Sequence, residues 1–283
     1  MSQPARRAVA APYDAHRHIG VLPSFPFYGG PPINPDTTAA STVADFRRSL
    51  DEQGVERALV LPNYGVPDPD VAFALNDLAL EAAAADDRVR CGLWVSPKSS
   101  DAARNDRALA LAAESGVAAL KTSFLLGGGV DDPDCAVELE RIFTTAAELG
   151  LVVHVHTSPG AASDVDRVGG LVETYGDATR IHLVHLGGGM SGHLKLIGGR
   201  FFDWVEAGKQ VWTDTSWAVG FAPAWLVAEV ERRGVGHDRV LFATDVPWGD
   251  FAGEHARLAA ASGDGEIARL FFRDNFEALY GAA

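Results

Sequence analysis

The chain has 283 residues, is 47% hydrophobic and 22% charged, and carries a formal net charge of −14. That length is ample for a buried core, and so acidic a surface would repel a polyphosphate backbone, which argues against nucleic acid as a partner. No apolar run approaches the roughly 20 residues that a bilayer span needs, and the N-terminus "MSQPARRAVAAPYD" lacks the long apolar stretch of a cleaved leader.

Taken in chain order, short runs rich in Val, Leu and Ile alternate with Ala-rich stretches of helical spacing. The strand candidates are "PYDAH" (12–16), "RALVLP" (57–62), "VRCGLWVS" (89–96) and "VAALKTS" (117–123), followed by "LVVHVH" (151–156), "RIHLVH" (180–185), "QVWTDTS" (210–216) and "RVLFATD" (239–245). Helices are expected over 41–53, 70–86, 102–115, 134–149, 163–175, 194–207, 223–233 and 254–261, with "EIARLFFRDNFEALYG" closing the chain. Gly54, Gly116 and Gly150 stand where a helix must turn left-handed into the next strand. Eight strands, each followed by a helix, with no glycine-rich phosphate fingerprint after the first, give a (β/α)8 TIM barrel rather than a doubly wound sheet. One such domain over 1–283, with an extra C-terminal helix, accounts for the whole sequence. A Pro/Gly/aromatic loop at 20–40, carrying Phe25, Phe27 and Tyr28, reads as a lid or interface element. With the closing aromatic helix it could supply the surface of a homo-oligomer. Cys91 and Cys135 are the only thiols, too few for a disulfide framework and in keeping with a reducing cytoplasm.

In such barrels chemistry gathers at the C-terminal ends of the strands. The residues there are His16 and His18, Lys121, His156, His185, Asp214 and Asp245. Residues i and i+2 share one face of a strand, so His16 and His18 point together into the barrel mouth, and Asp14, of the same parity, reads as a buried hydrogen-bond acceptor or a supporting residue behind them. A lone His-x-His is a weak signal. With His156, His185 and Asp245 on later strand ends, it becomes a site where imidazole nitrogens and a carboxylate suit a divalent metal, zinc above manganese. His154 should lie one layer deeper, as an interior or supporting histidine. His182 has the opposite parity to His185 and is expected to face the helices. His193 is a loop residue with solvent or substrate as its two readings, and His237 and His255 read as surface. Lys121 ends an apolar strand and needs a partner, either a carboxylate, an anionic substrate or carboxylation to bridge two metals. Asp214 is either a supporting partner or a polar cap. Trp94, Phe124, Trp217 and Trp248 near the strand ends could line a pocket for a flat, largely apolar small molecule, or pack barrel against helix.

The motifs "DAHRHIG", "NDLALEAAAADDRVRCGLWVSP", "GVAALKTS", "AAELGLVVHVHTSPG", "HLVHLGGG" and "VLFATDVPWG" resemble, in order, those of the amidohydrolase superfamily, specifically the amidohydrolase-related (amidohydrolase 2) family. The resemblance implies metal ligands at His16, His18, His156 and Asp245, a single metal ion, and His185 near the substrate or the reactive water. It implies Asp245 and His185 as catalytic residues, with Lys121 and His154 in supporting or substrate-contacting places. The expected activity is metal-dependent hydrolysis of a small-molecule amide, ester or lactone by a metal-activated water. The alternative is non-oxidative decarboxylation of an aromatic or unsaturated acid, for which Arg17 and Arg200 are loosely placed carboxylate anchors. A third reading, a barrel that binds a ligand without turning it over, predicts no tightly held metal.

Overall fold

A computed structural model describes residues 11–20, 41–66 and 68–281. The lid candidate at 20–40, with Phe25, Phe27 and Tyr28, lies almost wholly outside them.

Eight strands run parallel in the order of the sequence: β1 (Tyr13–Ile19), β2 (Arg57–Pro62), β3 (Val89–Trp94), β4 (Val117–Thr122), β5 (Val152–Val155), β6 (Arg180–Leu183), β7 (Val211–Asp214) and β8 (Val240–Leu241). Between them lie α1 (Val43–Gln53), α2 (Pro69–Ala85), α3 (Ala102–Leu111), α4 (Pro133–Leu149), α5 (Val165–Tyr175), α6 (Gly189–Lys195), α7 (Phe201–Glu206) and α8 (Ala222–Arg233). After β8 come α9 (Phe251–Ser262), α10 (Glu266–Arg269) and α11 (Asn275–Tyr280). This is the expected (β/α)8 barrel. None of the helices of the described residues is long and apolar enough to cross a membrane.

The helices begin and end where local chemistry dictates. Thr42, Asp68, Asp132, Asp164 and Asp250 each cap a helix by accepting a backbone N–H of its first turn. Gly54, Gly150 and Gly234 close α1, α4 and α8 in the left-handed conformation. The helix expected over 194–207 is instead two short ones joined by a wide turn at Leu196–Arg200, because Gly199 leaves helical geometry there.

Closure of the barrel explains why β8 is so short. Its regular pairing stops at Leu241, yet Ala15 N–H donates to Phe242 O (3.0 Å), Asp245 N–H to His16 O (2.8 Å) and His18 N–H to Val246 O (2.8 Å). The chain therefore continues along β1 in an irregular path that aims Asp245 at the histidines. Asp14 reinforces the seam, accepting from Thr244 N–H (3.0 Å) and Thr244 Oγ (2.5 Å).

Asp14 is the buried hydrogen-bond acceptor its place before the histidines suggests, but it does not share their face. A register shift between Asp14 and Arg17 inserts an extra residue in β1. Ala15 thus joins the apolar lumen, while Asp14 pairs with Arg17, whose guanidinium bonds Ser49 Oγ and sits over the Phe46 ring of α1. Arg17 is consumed by that outer contact and is no carboxylate anchor for the site. Arg200 is likewise engaged, with Asp166 at 2.9 Å.

Three apolar clusters result among the described residues, the smallest being Tyr64, Val66, Ala72 and Trp94. The largest lies between the strands' outer faces and the helices, including Val60, Leu93, Val153, Ile142, Phe143 and Phe242. The second fills the lower lumen with Ala15, Leu59, Leu61, Ala119, Val152, Leu241 and Ala243, and α11 closes it from below with Phe276, Leu279 and Tyr280. Cys91 and Cys135 are both buried and free.

Candidate metal centre

Three donor atoms meet at the upper end of the lumen. His16 Nε2 and His18 Nε2 are 3.0 Å apart, and Asp245 Oδ1 lies 3.2 Å from the first and 3.0 Å from the second. His185 Nε2 approaches Asp245 Oδ2 at 4.0 Å, and its ring stacks on His16 with centroids 4.9 Å apart. His156 stands edge-on to His185 at 5.0 Å, with a buried Nε2 that has no hydrogen-bond partner.

Backbone strain holds this arrangement. His185, Trp217 and Asp245 all have positive φ (64°, 57° and 58°), which costs a non-glycine residue on the order of 1–3 kcal/mol. Hydrogen bonds fix each of them. His185 N–H donates to Asp214 Oδ1 (3.0 Å), Trp217 N–H to Glu254 Oε1 (3.2 Å), and Trp217 Nε1–H to Asp245 Oδ2 (2.7 Å). The glycine run after β6 serves close approach: a Cβ at Gly188 would lie 2.6 Å from Ser158 Cα, just past His156.

The outer nitrogens of the rings decide what the inner ones can do. His18 Nδ1–H donates to Pro62 O (3.1 Å), which leaves the Nε2 lone pair facing Asp245 and His16. His185 Nδ1–H donates to Ser216 Oγ (2.8 Å), which itself donates to Asp214 Oδ1 (2.5 Å). Burial, reinforced by the Lys121 amine, holds His16, His154 and His156 well below the ordinary imidazole range; for His185 burial leads, followed by His16 and His156. Neutral imidazoles beside a carboxylate are what a divalent cation needs. Donors bound at about 2.1 Å in a tetrahedral shell are spaced roughly 3.4 Å apart, so the 3.0–3.2 Å separations require only slight spreading. The residues present fit a metal ion.

Below this cluster lies a second polar layer. Lys121, His154 and His182 pair in register across β4, β5 and β6. Lys121 Nζ donates to His154 Nδ1 (3.1 Å) and sits 5.6 Å above the Tyr64 ring; burial lowers its pKa to about 7. His182 does not face the helices as its parity suggests: Nδ1 meets Tyr280 Oη at 2.6 Å and Nε2 lies 3.0 Å from Asp214 Oδ2, both inside the lumen. The parity count fails because β6 ends at Leu183 and a tight turn carries His185 inward. Burial would raise the Asp214 carboxyl, but His182, His185 and Ser216 outweigh it and hold the group low.

The remaining candidates divide. Trp94 stacks flat on Tyr64 (4.3 Å, 6°), and Tyr64 lies 6.1 Å from His18, so this pair forms a wall beside the donors. Trp217 touches Asp245 directly, and Trp248 Nε1–H donates to Asn63 Oδ1 at 3.2 Å. Phe124 packs into the barrel–helix cluster. His193 is fully buried, tying Leu186 O (2.8 Å) to Val219 N–H (3.3 Å), so neither solvent nor substrate is its partner. His255 packs among Phe242, Phe251 and Phe272, while His237 is exposed. Tyr64, Glu254 and Tyr280 were invisible as site residues in the sequence, since none sits in a strand-end motif, while Ser216 ends the seventh strand candidate and was passed over beside Asp214.

No curated protein matches the chain at a significant level. Among solved structures, it is similar to 5-carboxyvanillate decarboxylase from Novosphingobium aromaticivorans with bound manganese and 3-methoxy-4-hydroxy-5-nitrobenzoic acid (17% identity, TM-score 0.68, covering 98% of this chain and 99% of that one). It is also similar to 2,6-dihydroxybenzoate decarboxylase from Rhizobium (16%, 0.69, 95% and 99%). A third is an amidohydrolase from Burkholderia multivorans with bound zinc (14%, 0.63, 97% and 100%). At these identities the likeness speaks for the fold. The family model described as amidohydrolase matches residues 13–282, and the chain belongs to that family.

Proposed function

We propose that the protein is a metal-dependent, non-oxidative decarboxylase of an aromatic or unsaturated carboxylic acid. The observation that carries this reading is the conjunction at one strand-end cluster of three donors within 3.2 Å, a flat Tyr64–Trp94 wall and a buried lysine amine. A flat anion suits that combination better than a neutral amide does. The two similar decarboxylases act on aromatic acids, which gives the reading its second support.

In this account His16, His18 and Asp245 hold one divalent ion, manganese or zinc, with the orphaned Nε2 of His156 as a further ligand. The ion would supply a Lewis acid that orients and polarises an oxygen of the substrate. Tyr64 and Trp94 hold the ring plane, and Lys121 offsets the anion's charge in its protonated ammonium form, not as a carbamate. The C–CO2 bond breaks with its electron pair left on the substrate carbon, carbon dioxide departs, and that carbon takes up one proton that ultimately comes from solvent and is passed inward. His185 and Asp245 are the proton-carrying pair: Ser216 and Trp217 orient them, and 4.0 Å separates the imidazole Nε2 from the carboxylate Oδ2. Water exclusion follows from burial, since His16, His18, His185 and Asp245 are each no more than 6% exposed.

Hydrolysis of an amide, ester or lactone is the second reading. It is favoured by the same Asp245 carboxylate, placed to take a proton from a nucleophilic water, and by the zinc-containing amidohydrolase relative. Incubating the manganese- or zinc-loaded protein with hydroxylated benzoic acids and with lactones separates the two. Release of carbon dioxide from the acids supports the first reading; ring opening of a lactone without carbon dioxide release would replace it with the second.

A further inference from the structure

Barrel lumens are ordinarily filled by layers of branched apolar side chains. Here a continuous polar line runs from the floor of the barrel to the donor cluster. Tyr280 projects from α11 and places Oη 2.6 Å from His182 Nδ1. His182 Nε2 lies 3.0 Å from Asp214 Oδ2, and the same oxygen lies 3.8 Å from His16 Nδ1. The other carboxylate oxygen accepts from His185 N–H, Ser216 N–H and Ser216 Oγ, and Ser216 Oγ accepts in turn from His185 Nδ1–H. Tyr280, His182 and Asp214 are each no more than 1% exposed.

Proton positions along this line follow from its ends. The Asp214 carboxylate can only accept, so a proton on His182 Nε2 avoids setting a lone pair against a carboxylate lone pair at 3.0 Å, although neither atom reaches hydrogen-bond geometry with the other. His182 Nδ1 is then an acceptor, which the Tyr280 hydroxyl satisfies by donating. His16 Nδ1 lies 3.8 Å from that oxygen, beyond hydrogen-bond range and with no other partner, so an N–H there meets the carboxylate through charge alone and leaves the His16 Nε2 lone pair pointing at His18 and Asp245.

We infer that Tyr280, acting through His182 and Asp214, is a positioning residue for the metal-facing side of His16 and for the orientation of His185. The inference rests on the reading of His16 as a metal ligand. A phenylalanine at 280 would fill the same space against Phe276 and α11, so packing alone does not call for the hydroxyl. Without it His182 can rotate or change tautomer, and the Asp214 oxygen facing His16 loses its fixed donor.

The test compares Tyr280→Phe with Leu279→Ala, which loosens the same helix without touching the line. Metal affinity is read by competition with a chelator, melting temperature is read on the metal-free proteins, and the His182 tautomer is read by NMR on 15N-histidine-labelled wild type. We expect Tyr280→Phe to bind metal about 10-fold more weakly, Leu279→Ala to melt lower but bind as wild type does, and His182 to carry its proton on Nε2. Unchanged affinity in Tyr280→Phe, or an equal loss in both variants, overturns the inference. So does a His182 proton on Nδ1 in wild type, a measurement that stands even if a variant does not fold. If wild type itself binds no metal, the metal-ligand reading fails and the inference falls with it; if wild type binds and only the comparison fails, the ligand reading survives.

Discussion

On the outer face of the barrel wall, Val60, Val153 and Phe242 join Ile142 and Phe143 in one apolar cluster between strands and helices. On the lumen side, Lys121, His154, His182 and Asp214 lie against one another above the apolar floor. The outer face is governed by area and volume, and its errors are paid in stability. The lumen is governed by proton positions and charge, and its errors are expressed in what the site can bind. One strand therefore carries two kinds of information on alternate residues: Val153 belongs to the first and His154 to the second.

Four substitutions would break or sharpen that contrast. The largest effect is expected at the donor cluster: Asp245→Asn should abolish measurable turnover, a loss on the order of 10²–10³-fold or more, while leaving the fold intact by circular dichroism. On the outer wall, Phe143→Ala should cost about 3–5 kcal/mol in urea unfolding, since Phe143 is fully buried and stacks on Tyr175 at 4.2 Å. It should leave metal content unchanged.

Glu254 bridges the two regimes from α9, accepting from Trp217 N–H and pairing with Arg257 at 2.6 Å. Burial raises its pKa from 4.5 to about 7 despite Arg257. The folded state thus holds a proton more tightly than the unfolded chain does. The resulting stability is fully present below about pH 4.5 and is lost as pH rises through about 7. Glu254→Gln mimics the protonated acid and should flatten that slope, by on the order of 1–3 kcal/mol across the interval, as read by melting at successive pH values. A steeper slope in the variant would contradict the assignment. The smallest effect is expected for Trp217→Phe, which keeps the ring but removes the 2.7 Å bond to Asp245. Turnover should fall about 10-fold, the equivalent of one charge-assisted hydrogen bond, with metal content preserved.

How much of this was legible in the sequence follows the same division. The alternation of apolar strands and helices announced the barrel, and the glycine caps at Gly54 and Gly150 fell where the sequence placed them. His16, His18, His185 and Asp245 stood out because chemistry in this fold collects at strand ends, and the structure brings those four together. Parity arithmetic failed wherever a strand departed from regular pleat. The extra residue in β1 turned Asp14 outward to Arg17, and the left-handed turn after Leu183 put His182 and His185 in the lumen together. Tyr280 reads in sequence as one more aromatic of an amphipathic helix. Its hydroxyl acquires meaning only when α11 closes the barrel floor and brings it to a residue 98 positions away.

The central claim is that His16, His18 and Asp245 hold a divalent ion. Elemental analysis of untagged protein, beside the His16→Ala/His18→Ala double variant, tests it most directly. The account predicts about one manganese or zinc per wild-type chain and none in the double variant. Wild-type protein that stays metal-free after incubation with both ions, or a double variant that retains its metal, would contradict it.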